Sequence, residues 1–221
     1  MKILKILPQK YKKFLRTVIL EESLTLHLHE EVLAKYDLSE GTEIRPEKIG
    51  EIERESRRRE ALDYAYALLN YRALSEDAMK DRLKRKGFNL ESIEKVIEDL
   101  KSKKLLNDAD LAQDLALSRI KSRLLGNERV KEDLIRKGIE KSLADETVGD
   151  LTKSPDLPDE EERAVQLILK REKQIKAIDA RTLFQRLSEY LARRGFNPDT
   201  IERALSRYRR SAHKIDKIEE Q

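Results

Sequence analysis

Lys86-Gly87-Phe88, Lys137-Gly138-Ile139 and Arg194-Gly195-Phe196 are three versions of one phrase: a cation, a glycine, an apolar residue. Four residues before each glycine stands Leu83, Leu134 or Leu191, and eight before stands Met79, Val130 or Leu187. After the glycine the spacing is again that of one helix face. The first copy has Ile93, Val96, Ile97 and Leu100, the second Ala144, Thr147, Val148 and Leu151, and the third Ile201, Ala204, Leu205 and Tyr208. A helix therefore runs into each glycine and another leaves it. Glycine is the residue that takes positive φ at a helix C-terminus without a Cβ penalty, and the apolar residue after it is placed for the contact that accompanies such a cap. Gly87, Gly138 and Gly195 are accordingly structural caps. The cation before each suits the negative end of the helix dipole. Asn89 and Asn197 are placed to cap the following helices, with Pro198 at the first helical position.

Each phrase also has a helical stretch upstream, over 56–70, 108–125 and 159–173. Three helices in each of three units predict a mostly α chain of tandem three-helix repeats in an elongated array. Outward from the repeats, the first 45 residues read differently. Apolar or alternating runs at 3–7, 14–20 and 24–28 predict three short strands, with a turn at 21–23 and a short helix over 30–36. Pro46 sits where a helix begins, and the pattern from there to residue 70 is helical. The expected divisions are a small β-rich module at 1–45, a first repeat with an extended leading helix at 46–107, a second at 108–154, and a third at 155–221 after an acidic linker. The stretch 149–162, with Gly149, Pro155, Pro158 and a run of acids, is the best candidate for a hinge and for local disorder.

The chain has 221 residues, 38% hydrophobic and 41% charged, with 47 Lys and Arg against 43 Asp and Glu for a net +4. The balance argues against a disordered polyelectrolyte. There is no cysteine, which removes disulfides, thiolate metal sites and thiol nucleophiles together. The opening apolar stretch ends at Pro8, and no run approaches the roughly 20 apolar residues of a membrane span, so a cytoplasmic protein without a membrane partner is expected. The histidines are His27, His29 and His213. A metal site built on His27 and His29 would need Glu31 or Asp37 as a further ligand, and the plainer reading is two histidines on the polar face of a strand. Asn107-Asp108-Ala109-Asp110 resembles part of a calcium loop, but it lacks the central glycine and the closing glutamate and reads as a helix cap. No catalytic, cofactor or metal site is expected.

Basic residues gather in each unit: Lys80 to Lys86 in the first; Arg119, Lys121, Arg123, Arg129, Lys131, Arg136 and Lys137 in the second; Arg193 to Arg210 in the third. Ion-paired, solvated helix faces account for such groups as readily as a polyanion-binding side does. Phe88 and Phe196 are better used in packing than in stacking bases. Three reading classes stay open on pattern alone: a binder of a polyanionic assembly, a helix-turn-helix-like DNA-binding transcription regulator, and a helical-repeat protein scaffold.

The repeat phrases carry a family resemblance. Leu68-Leu69-Asn70-Tyr71-Arg72-Ala73-Leu74-Ser75-Glu76, followed by Arg82-Leu83-Lys84-Arg85-Lys86-Gly87-Phe88, resembles the first repeat of the RecX family. Leu106-Asn107-Asp108-Ala109-Asp110-Leu111-Ala112 and Gly126-Asn127-Glu128-Arg129-Val130 resemble its second. The chain departs from the family at Ala73, where a second arginine is usual, and at Ala78, where a glutamate is. The resemblance implies a non-enzymatic negative regulator of the RecA recombinase, acting in DNA repair, recombination and the SOS response. Its implied partners are RecA and the RecA filament on single-stranded DNA, with free DNA a weak further one, and it implies a monomer without cofactors. It also implies binding along the filament groove, limiting filament extension, strand exchange and coprotease activity. Lys86, Lys137 and Arg194 recur in register with the repeat, and together with Arg82 and Arg129 they are the candidate contacts to RecA or phosphate.

Overall fold

The structure, a computed structural model, describes residues 1–175 and 179–219, with side chains over 1–175 and 179–211. His213 lies outside the described side chains. The chain divides into two units, Met1–Leu106 and Asn107–Gln221.

The first unit opens with three antiparallel strands, β1 (Ile3–Pro8), β2 (Leu15–Leu20) and β3 (Thr25–His29), in the order β1-β2-β3. Alternation puts Val18, Leu20, Leu26 and Leu28 on the buried face and leaves Thr25 and His27 exposed. Helix α1 (Glu30–Lys35) follows directly, capped by the His29 ring, which accepts the Glu31 N–H at 3.2 Å. Helix α2 (Pro46–Tyr71) then serves two cores. Its Ile52 joins Ile3, Val18, Leu20, Leu26, Leu28, Val32 and Leu33 over the sheet. Its Ala61, Leu62 and Ala65 join residues of α3 (Glu76–Arg85) and α4 (Leu90–Ser102) to make the first three-helix core. Between the two stands buried Ser56, whose hydroxyl accepts the His29 N–H at 2.7 Å and donates to the His27 carbonyl at 3.4 Å, closing that stretch of the edge of β3.

The second unit contains α5 (Asp108–Arg123), α6 (Asn127–Ile135) and α7 (Lys141–Thr152), then α8 (Glu160–Glu172), α9 (Ala180–Arg193) and α10 (Pro198–Glu219). Ala112, Ala116 and Ile120 of α5 pack with Val130, Leu134, Ile139, Ala144 and Val148. Ala164, Leu167 and Ile168 of α8 pack with Leu187, Leu191, Phe196, Ile201, Ala204 and Tyr208. Leu124, just past the end of α5, belongs to this second cluster, so the two repeats of the unit share packing. Half of the stretch 149–162 is helix, and 153–159 forms a non-helical link between α7 and α8. Helix α7 continues through Gly149 to Thr152, and Asp159 starts α8 with a reciprocal capping box with Glu162. Glu160, Glu161 and Glu162 fill the first turn of α8, where the helix dipole favours them, at the helix start the sequence placed at 159.

Candidate functional site

The three glycines close their helices in the same way. Gly87, Gly138 and Gly195 have φ of +89°, +85° and +81°. In the first, the Gly87 N–H reaches the Lys84 carbonyl at 3.0 Å and the Phe88 N–H reaches Leu83 at 3.3 Å. The same pair of bonds recurs at Gly138 and Ile139, and at Gly195 and Phe196. Phe88, Ile139 and Phe196 are all buried, each in the same core as the leucine four residues before its glycine. Each cap thus presents the preceding cation at the carboxyl end of a helix. Lys86 places its ammonium 5.4 Å from the Tyr64 ring centre, and Arg194 its guanidinium 5.1 Å from that of Tyr190. Lys137 is exposed on its cap.

Arg82 is exposed on α3, one turn before Lys86. Arg129 is half-buried on α6, where its guanidinium reaches Glu132 at 3.3 Å and Asp133 at 3.5 Å. Asp133 also takes Arg119 at 2.8 Å and Arg136. Burial opposes ionisation of this carboxyl, but the hydrogen bonds from Arg119 and Arg136 outweigh it and hold its pKa below the usual carboxylate value. Lys131 lies between Glu128 and Asp145, and Arg203 and Arg207 both face Glu161. Many of the basic residues of this unit are therefore members of local ion pairs.

The structure brings Arg129 and Arg194 together across a seam between the two repeats of the second unit, while Arg82 and Lys86 share one helix in the first unit. At the seam the Gly126 N–H donates to the Arg194 carbonyl at 3.0 Å. A Cβ on Gly126 would lie 2.2 Å from the Gly195 carbonyl oxygen, and one on Gly195 would lie 2.3 Å from the Arg129 Cβ. Glu160, at the start of α8, accepts the Asn127 N–H at 2.7 Å and so caps α6, whose own cap residue, Gly126, has no side chain to do it. The same carboxylate accepts from Asn197 at 3.4 Å and Thr200 at 3.3 Å, tying in α10. Arg163 is buried beside this knot and donates to the Asn127 side chain at 2.6 Å. In the sequence Gly126 stood only as the opening of a repeat phrase and Glu160 only as one of a run of acids, with no sign that they meet. Arg163 was not singled out, although it falls within the helical stripe of Ala164, Leu167 and Ile168.

His29 is no metal ligand. Its ring stacks on Phe14 at 5.9 Å, Nε2 meets Asp63 at 2.8 Å and Nδ1 is taken by the cap of α1. Asn107 caps α5, accepting from Ala109 at 3.1 Å and Asp110 at 3.3 Å. Among the described residues no group of three His, Cys, Asp or Glu could hold a metal ion, and no helix is long and apolar enough to cross a membrane.

These elements define a tandem three-helix-repeat protein that presents cations at its helix caps, preceded by a small three-stranded module. Family models described as the first and the third three-helix domains of RecX match residues 61–100 and 159–205. The regulatory protein RecX of Clostridioides difficile (strain 630) is 30% identical over 205 residues, covering 93% of this chain and 94% of its own. RecX of Amycolatopsis mediterranei (strain U-32) is 31% identical over 146 residues, 66% of this chain and 81% of its own. A crystal structure of a regulatory protein RecX superposes with a TM-score of 0.66 at 25% identity, covering 91% of this chain and 97% of that one. RecX from Lactobacillus salivarius shares the fold, with a TM-score of 0.61 at 20% identity over 68% of this chain and 96% of that one. The chain belongs to the RecX family. Its general role is that of a non-enzymatic regulator with RecA as its partner.

Proposed function

We propose that the protein binds RecA and the RecA filament on single-stranded DNA along the filament groove, as a monomer, and limits filament extension, strand exchange and coprotease activity. What supports this is the recurrence of a cation at the same point of each repeat, immediately before the capping glycine, in a member of the RecX family. Arg82, Lys86, Arg129, Lys137 and Arg194 meet phosphate or acidic RecA surface in this reading. Phosphate contacts position a protein without reading sequence, which suits a filament formed on any DNA. Tandem repeats give several weak contacts, each raising the effective concentration for the next.

The test is RecA's single-strand-DNA-dependent ATP hydrolysis, titrated with this protein. A saturable fall at protein well below the concentration of DNA sites is expected, because blocking the growth of a filament needs few molecules. No fall with cognate RecA overturns the reading. Charge reversal of the five cations to glutamate should weaken filament binding while circular dichroism stays helical, and unchanged affinity removes them as contacts. Tight binding to one defined duplex site would mark a transcription regulator instead.

A further inference from the structure

The second unit contains a cleft of about 680 Å³ at the carboxyl ends of α5, α8 and α9. Arg123, Lys170, Arg171 and Arg194 line it, with Ser122 and Tyr190. Two guanidinium groups lie against the Tyr190 ring, Arg171 at 5.3 Å and Arg194 at 5.1 Å from its centre. What orients these cations is neutral: Arg171 donates to the Gln174 side chain at 2.8 Å, and Arg194 donates to the Arg123 carbonyl at 3.2 Å. None of the four is ion-paired among the described residues. This contrasts with the same unit's Arg119, Arg129, Lys131, Arg136, Arg203 and Arg207, all of which have carboxylate partners. Glu172, the nearest acid in sequence, is engaged by the Tyr208 hydroxyl.

Cations at helix C-termini serve in part to offset the helix dipoles. Each of the three ends brings about half a negative charge, which together is less than half of what four cations carry. The tyrosine face adds a modest attraction. The cleft is therefore left with excess positive charge, several guanidinium N–H donors without a carboxylate acceptor, and the hydroxyls of Ser122 and Tyr190. Guanidinium forks of this kind match the oxygen geometry of phosphate.

We propose that this cleft binds a run of closely spaced phosphates, as carried by a nucleoside triphosphate or by a nucleic-acid backbone. The inference rests on the basic-cap reading at Arg194 alone, and the test leaves Arg194 unchanged. The full chain is titrated with inorganic tripolyphosphate by calorimetry and with a labelled oligo-dT by anisotropy, at two salt concentrations. The triple variant Arg123→Gln, Lys170→Gln, Arg171→Gln is expected to bind at least about tenfold more weakly, with a smaller salt slope. A matched variant, Lys48→Gln, Lys95→Gln, Lys153→Gln, removes the same charge from exposed, ion-paired positions and should change binding less than about threefold. Tripolyphosphate bound in preference to oligo-dT identifies a free-nucleotide site, and the reverse preference a backbone site. Wild type that binds neither probe, or two triple variants that lose equally, overturns the proposal. If the cleft variant loses its melting transition, Lys170→Gln alone, at an exposed position, carries the same comparison. RecA ATP hydrolysis is measured alongside: a cleft variant that loses phosphate binding but still limits RecA upholds the cleft and places filament control elsewhere, whereas retained phosphate binding sinks the cleft whatever RecA does.

Discussion

A methyl group added at Gly87 would meet nothing within 4 Å, whereas one added at Gly195 would lie 2.4 Å from the Arg129 backbone nitrogen. The two glycines have the same left-handed conformation and occupy the same point of their repeats, so their difference isolates close approach from backbone preference. Gly87→Ala should cost about 1 kcal/mol, the left-handed penalty alone. Gly195→Ala should cost roughly 3 kcal/mol or more, because the seam must also open. Chemical denaturation of the two variants checks this, and equal losses would mean that the seam yields easily. The conformational half of the difference was legible in the sequence, since a helix-ending glycine is a local matter. The packing half was not, because Gly126 and Gly195 meet where two helix ends distant in sequence abut, which no local pattern records. Asp133 gives a second residue-scale expectation. Its native pKa lies below the unfolded value of about 3.9, so the stability it contributes is complete above that value and is lost as pH falls through the native pKa. Asp133→Asn should therefore destabilise at neutral pH and converge on wild type in acid, read from melting temperatures across the pH range. A constant difference at every pH would show that the loss is one of packing.

Helix ends were the most readable elements, because their chemistry is local. Asn89 accepts the Ser92 N–H at 2.9 Å and Asn197 the Thr200 N–H at 2.8 Å, each starting a helix where the sequence placed one. Less readable were ends that use the same backbone geometry without glycine. Helix α4 finishes with Lys104 at φ +56°, its N–H bonded to Lys101 at 2.9 Å and the Leu105 N–H to Leu100 at 2.9 Å. That is the bond pattern of the three glycine caps, carried by a residue that pays for its left-handed backbone. Lys104→Gly should stabilise the protein by up to about 1 kcal/mol. A lower melting temperature would mean that the lysine side chain contributes more than its backbone costs. The link at 149–162 is shorter than its composition suggests, because Gly149 lies in the last turn of α7 and Asp159–Glu162 start α8, leaving 153–158 between them.

At the scale of the whole molecule, each hydrophobic cluster belongs to one unit. The sheet cluster and the first-repeat cluster fall within Met1–Leu106, and the other two within Asn107–Gln221. Fragments 1–106 and 107–221 should therefore each melt cooperatively. Within 107–221 the two repeats should melt as one transition, because Leu124 and the Gly126–Gly195 seam couple them. Two separable transitions in that fragment would show the seam to be weak. The tandem architecture was visible in three phrases of sequence. The division of four cores between two units was not, since it depends on α2 spanning two cores and on a leucine one step past α5. The small sheet adds a consequence of its own. Ser56 occupies the outer edge of β3 between His27 and His29. Along β1, the Ile3 N–H is taken by the Thr42 carbonyl at 2.9 Å and the Ile6 N–H by the Glu40 carboxylate at 3.0 Å, and Pro8 has no N–H to offer. A foreign strand seeking a ladder to extend finds these positions already filled, so whatever this module recognises, it recognises by side chains and shape rather than by lending its backbone to another chain.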